Sequence, residues 1–185
     1  AGATITGLGS GYPYMVIPSS VWRNDGYYGQ VPVVAIGANA FAGNQSITNV
    51  SFPETLVSIQ AGSFMNCSNL QSATLPASLP SIGNGAFQNC VRLRGMNISQ
   101  NVTNIGAYAF AGCPGETNLE FGAGLAFLGT NAFLGWTNLK TVYFNGNAPA
   151  NNGSAFAGAA NAALYVLPGS SGWGASYFGT PVAEW

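Results

Sequence analysis

Cys67, Cys90 and Cys113 stand 23 residues apart, and thiols so regularly spaced could bind a metal, form a disulfide or pack as a column. Stacked in one column of a repeat, they would lie near the inter-strand distance of ~4.8 Å. That is within the Cα range of a disulfide, but parallel side chains keep their Cβ atoms too far apart for good geometry. A buried ladder of free thiols, packing as small hydrophobes, is expected. The chain has no His. This removes Ser-His-Asp and Cys-His nucleophiles, most zinc sites and the usual general base near neutral pH. Glu116 and Glu120 are the closest carboxylates in sequence. A glycosidase needs two carboxylates across the scissile bond, but no supporting motif accompanies this pair. GLGSG at 7–11 has the glycines of a phosphate loop. No strand–helix unit follows it, and Gly is about twice its usual abundance, so chance accounts for it. The expectation is a chain with no catalytic centre, cofactor or metal.

The elements that carry these residues repeat. Phe41, Phe64, Phe87, Phe110, Phe133 and Phe156 follow one another at intervals of 23, without insertion or deletion. Parallel columns accompany them. Ile36, Ile59, Ile82, Ile105 and Leu128 form one; Asn44, Cys67, Cys90, Cys113 and Trp136 a second; Ile47, Leu70, Leu93 and Leu139 a third. Phe52, Leu75, Ile98, Phe121, Phe144 and Leu167 form a fourth, and Leu56, Leu79, Val102 and Leu125 a fifth. A period of 20–29 residues with recurrent Leu-like positions reads as a leucine-rich-repeat solenoid, in which no coil buries its apolar side alone. Segments such as Asn49-Val50-Ser51-Phe52 read as strands with the second and fourth residues inward. Pro53, Pro76 and Pro168 would end them. Gly37, Gly83, Gly106 and Gly129 would supply the turn before the Ala-Phe pair, which opens a short helical or irregular segment. The expected architecture is a parallel sheet along one face with irregular or short helical segments opposite. Residues 36–168 would hold six 23-residue repeats. Residues 1–35 would form an N-terminal cap with a partial repeat and an aromatic-rich insertion, and 169–185 a C-terminal cap.

The motif Ile-Gly-x-x-Ala-Phe-x-x-Cys-x-x-Leu is complete in IGNGAFQNCVRL at 82–93, and its first nine positions stand in IGAYAFAGC at 105–113. At these residues the chain resembles the BspA-like leucine-rich-repeat family of bacterial surface proteins, over about residues 30–168. The resemblance implies the solenoid fold and a surface role in adhesion or binding. The chain departs from the pattern at Glu116, where the third column expects Leu after Pro114-Gly115. Either the fourth unit is distorted there or the Glu escapes outward. The sixth unit has Asn151 for Ile and Ala162 for Leu, as terminal repeats are atypical.

Only 5% of residues are charged and the net charge is −1, against roughly 25% charged residues in an average chain. There is no basic footprint for nucleic acid. No apolar run approaches the ~20 residues of a membrane span. The beginning AGATITG is consistent with a mature form left after signal-peptide removal, so a secreted or cell-surface location is expected. Six Asn-x-Ser/Thr sequons begin at Asn44, Asn49, Asn66, Asn97, Asn101 and Asn152. A chain this rich in Asn, Ser and Thr produces several by accident.

Two surfaces remain for function. The outward face of the sheet should carry Asn49, Ser72, Gly95, Asn118 and Thr141 in one ladder and Ser51, Thr74, Asn97, Glu120 and Tyr143 beside it, with Arg92, Arg94 and Lys140 nearby. It is a polar and nearly uncharged face, suited to extended hydrogen bonding or glycan contact. The ends carry Tyr12, Tyr14, Trp22, Tyr27 and Tyr28, then Trp173, Tyr177, Phe178 and Trp185. They are read either as caps over the end strands or as anchors for end-to-end contact. The functional classes are an extracellular, non-catalytic binding or adhesion module for a protein or polysaccharide, and a structural subunit stacking head to tail into a filament or surface layer. A secreted glycan hydrolase rests on Glu116 and Glu120 alone.

Overall fold

The computed structural model describes residues 2–7, 11, 13–22, 29–151, 154–177 and 179–185, and of Asn151 only the backbone. They wind into stacked coils with two parallel sheets rather than the single sheet expected. One runs through Tyr14–Val16, Asn49–Ser51 and Ser72–Thr74, and resumes at Asn118–Phe121, Thr141–Phe144, Ala163–Val166 and Thr180–Glu184. Its inward residues Val50, Ala73, Leu119, Val142 and Leu164 are buried. The other joins Ala3–Ile5, Gln30–Ile36, Ser58–Ile59, Ser81–Ile82, Asn104–Ile105, Phe127–Leu128 and Ala150–Asn151. It is built on the Ile36–Ile59–Ile82–Ile105–Leu128 column, all fully or almost fully buried. Ser20–Trp22 folds back antiparallel on Gln30–Ile36.

The third side contains no helix among the described residues. Left-handed residues recur every fourth position: Asn39 (φ 55°) and Gly43, Gly62 and Asn66, Gly85 and Asn89, Tyr108 (φ 56°) and Gly112, Asn131 and Gly135. Residues at positive φ interrupt a right-handed helix, so the chain makes tandem turns instead. The N–H groups alternate in use. Those of Ala40 and Ala42 close turns onto Gly37 and Asn39, while those of Asn39, Phe41 and Gly43 donate to Ala61, Ser63 and Met65 of the next coil. The backbone is thereby paired without helix. Gly37, Gly83, Gly106 and Gly129 therefore do not supply the turn's special φ. Their column is instead a place where coils approach closely: a Cβ at Gly106 would stand 2.5 Å from the amide nitrogen of Asn84. No helix among the described residues is long and apolar enough to cross a membrane.

The phenylalanines form a continuous stack inside. Successive centroids from Phe41 to Phe156 lie 5.1, 5.3, 5.4, 5.4 and 5.4 Å apart, with planes within 17° of parallel. Each such side chain contributes ~1.5–3 kcal/mol through burial. The thiols are free and buried, and each has a polar task. Cys67, Cys90 and Cys113 donate to the carbonyls of Phe41, Phe64 and Phe87 at 3.0, 3.1 and 3.2 Å. Trp136, next in the column, donates its indole N–H to Phe110 O at 2.9 Å. From Cys67 to Trp136 the column thus carries a buried donor, which periodicity alone did not reveal.

At Glu116 the fourth unit is both distorted and turned outward. Its carboxylate accepts the N–H of Gly95 in the preceding coil. Against Gly115, at φ +72°, lies the Trp136 ring, 2.5 Å from where a Cβ would stand. The sixth unit brings a second correction. Phe144 pairs with Val166, not with Leu167, which is 37% exposed. Phe156 and Ala162 keep the 23-residue step, so the unit loses its residue between Ala162 and the strand that begins at Ala163. After that strand, Trp173 rests on Phe144 and Tyr177, with centroids 4.7 and 5.0 Å away, and Ser176–Tyr177 folds antiparallel onto Thr180–Glu184.

Candidate binding face

The outward ladder of the first sheet follows from its register. Tyr14, Asn49 and Ser72 lie side by side, as do Val16, Ser51 and Thr74. Further along, Asn118 is beside Thr141, and Glu120, Tyr143 and Tyr165 are in line. Between these halves, residues 93–99 form no strand. Gly95 takes φ +64°, outside the extended region, and its N–H goes to Glu116 rather than into a ladder. Two adjoining depressions lie at this break. One, of about 370 Å³, is lined by Asn97, Asn118, Glu120, Thr141 and Tyr143 over a floor that includes buried Met96, Ile98 and Leu119. The other, of about 510 Å³, shares Asn97 and Glu120 and reaches Thr74 and Gln100.

Side chains around the first depression hold one another. Asn145 Nδ2 donates to Glu120 Oε1 at 2.8 Å and to Gln100 Oε1 at 3.4 Å. The Thr141 hydroxyl donates to Asn118 Oδ1. Tyr165 stacks on Tyr143 with centroids 5.3 Å apart and planes 22° from parallel, and Trp185 meets Tyr143 edge-on at 5.0 Å. Trp185 is 54% exposed. Its N–H donates to Val166 O, which brings the C-terminal residue onto this face.

Sequence reasoning placed Tyr143 and Glu120 on the outward face but passed over Tyr165, Asn145 and Gln100. The lost residue before Ala163 hid Tyr165; its signal was the alternation Leu164-Tyr165-Val166, two aliphatics flanking an aromatic. Arg92, Arg94 and Lys140 are exposed on the approaches to the strands and line neither depression. Of the end aromatics, Tyr14 (74% exposed) lies on the outward face, and Trp22 (71%) on the strand that flanks the second sheet. Trp173 and Tyr177 turn inward and donate to the carbonyls of Gly146 and Pro149 at 3.1 and 2.9 Å. Tyr12, Tyr27, Tyr28 and Phe178, the sequon at Asn152 and the middle of the GLGSG segment lie outside the described residues.

Residues 34–163 match the BspA type leucine-rich repeat region in six copies. The chain belongs to this BspA-type leucine-rich-repeat family. Solved structures share its fold. A leucine-rich repeat protein from Bacteroides ovatus superposes with a TM-score of 0.72 at 27% identity, covering 86% of this chain and 42% of that one. The T. pallidum leucine-rich repeat protein gives 0.69 at 26% identity, covering 84% and 69%. A leucine-rich cell surface protein from Faecalibacterium prausnitzii gives 0.67 at 22% identity, covering 89% and 50%. The chain thus spans less than half the length of the Bacteroides ovatus protein. No curated protein matches it. Within the BspA-type pattern, the Cys column, the Phe stack and the close-contact Gly column explain why the motif has the residues it has.

Proposed function

We propose that this chain is a non-catalytic binding or adhesion module at a bacterial cell surface, and that it binds through the outward face from the break at Gly95 to Trp185. The observation that carries this reading is the group Tyr143, Tyr165 and Trp185, standing on the solvent side of the sheet beside a polar depression. Aromatic side chains that stay partly exposed while fixed by their neighbours are the usual anchors of recognition surfaces. The surface setting rests on membership of a family of bacterial surface-type proteins and on the nearly uncharged exterior. The absence of His and the separate engagement of Glu116 by Gly95 and of Glu120 by Asn145 support a non-catalytic role.

The test is an array carrying extracellular-matrix proteins and glycans, probed with the wild-type chain and with a Tyr143→Ala/Tyr165→Ala variant. Binding that weakens at least tenfold in a folded variant is expected. Binding indifferent to both substitutions would sink this choice of face.

Head-to-tail self-assembly is the second reading, favoured by Trp22 exposed on an outer strand. Trp173 and Tyr177 weigh against it, because their rings are engaged within the last coils. Light scattering of the unconcentrated protein decides: a mass near that of one 18.9 kDa chain removes the filament.

A further inference from the structure

Resting on the binding-face reading, we propose that the depression walled by Tyr143 is a subsite for a pyranose ring of a neutral polysaccharide. A pyranose is amphipathic, with C–H groups on a face and hydroxyls around the rim. It needs an aromatic surface for the one and closely placed planar acceptors and donors for the other. Tyr143 supplies the ring. Tyr165 backs it and Trp185 buttresses it edge-on, so little side-chain freedom is left to lose on binding. Glu120 supplies a carboxylate already oriented by Asn145, able to accept from two neighbouring hydroxyls. Asn118 lines the same depression, and its amide oxygen already accepts the Thr141 hydroxyl, so donation from its N–H₂ is what it can offer a ligand.

The charge pattern selects among glycans. Among the described residues, Glu120 is the only carboxylate lining this depression, and no Lys or Arg lines it. An acidic sugar or a phosphate would meet a like charge with no cation to offset it, whereas a neutral sugar meets only hydrogen-bonding groups. The adjoining depression shares Asn97 and Glu120 and adds the side-chain amides of Gln100 and Asn101. The two adjoin at Asn97 and Glu120, so consecutive sugar units of a polymer can occupy both.

Native affinity electrophoresis of the full chain in gels containing galactomannan, mixed-linkage β-glucan or soluble starch tests this, with polygalacturonate as the acidic probe. At least one neutral polymer should retard the wild type and polygalacturonate should not. Tyr143→Ala should weaken the retardation at least tenfold, and the near-isosteric Glu120→Gln at least threefold. Unchanged far-UV circular dichroism would show that both variants fold. Were Tyr143→Ala to misfold, Glu120→Gln would carry the test alone. The proposal is overturned if no neutral polymer retards the protein, if polygalacturonate alone does, or if the folded variants migrate like wild type. A protein ligand lost in Tyr143→Ala/Tyr165→Ala, with no retardation by any neutral polymer, would remove the sugar subsite and leave the binding face standing.

Discussion

The thiol of Cys90 donates a hydrogen bond to the carbonyl oxygen of Phe64, 3.1 Å away and 26 residues earlier in the chain, wholly inside the core. The same relation links Cys67 to Phe41, Cys113 to Phe87 and Trp136 to Phe110. Over these four coils the column residue serves as a buried donor as well as a space-filler.

Replacing Cys90 by Val keeps an apolar side chain, one methyl group larger, and removes the donor. Phe64 O retains the N–H of Cys67 but loses the thiol. The expected loss is ~0.5–1.5 kcal/mol, the net worth of one hydrogen bond to a carbonyl that keeps its other partner. Urea unfolding measures it, and Cys90→Ser, which keeps a donor, should recover part of the loss.

The thiols also predict a pH dependence. Burial raises Cys67 from 9.0 to about 11 and Cys113 to about 12, and raises Cys90 as well, with added repulsion from its two neighbours. Burial favours the neutral thiol, so the folded state binds these protons more tightly than the unfolded one. Their contribution is complete below pH 9 and is lost as pH rises from there through about 12. The urea midpoint should fall more steeply between pH 8.5 and 10.5 in the wild type than in a Cys67→Ala/Cys90→Ala/Cys113→Ala variant, which supplies the background slope. Equal slopes would contradict the burial of the ladder.

Gly106 tests the coil-to-coil approach. A methyl there would lie 2.5 Å from Asn84 N and 2.6 Å from Gly83 C, both backbone atoms that cannot swing away. Gly106→Ala should destabilise by ~2–4 kcal/mol, in the range of overpacked core positions. Tyr108→Gly should act in the opposite direction. It relieves a left-handed Tyr at φ 56°, a strain of ~1–2 kcal/mol, partly offset by the backbone entropy of Gly. Thermal melting of the two variants should move in opposite senses.

The phenylalanine stack predicts a gradient along the axis. Phe87 stacks on Phe64 and Phe110, whereas Phe41 has a ladder neighbour on one side, Phe64. Each aromatic pair adds ~0.5–1.5 kcal/mol beyond burial. Phe87→Leu should therefore cost ~1 kcal/mol more than Phe41→Leu, measured by denaturant unfolding of both.

Much of this is legible in the sequence alone. The 23-residue spacing of Phe41 to Phe156 names a solenoid, because only stacking buries an apolar side that recurs once per coil. The columns at Ile36, Ile47 and Leu56 are buried as periodicity implies. The outward positions Asn49, Ser72, Asn118 and Thr141 follow from strand alternation. Less of the site was legible. Glu116 stood out as an anomaly, but its bond to Gly95, and the sheet break that goes with it, join residues 21 positions apart through backbone geometry that no column displays.

What the sequence determined by itself was the repeat, since a period is a property of order along the chain. What the tertiary structure decided was the register of the last strand and the contacts between coils. Strand side chains alternate with a period of two, so losing one residue before Ala163 moves Leu167 out of the core and Tyr165 onto the face beside Tyr143. The glycine column was visible too, but its reason was not: only the distance between stacked backbones shows that Gly106 makes room for a neighbour rather than for a turn.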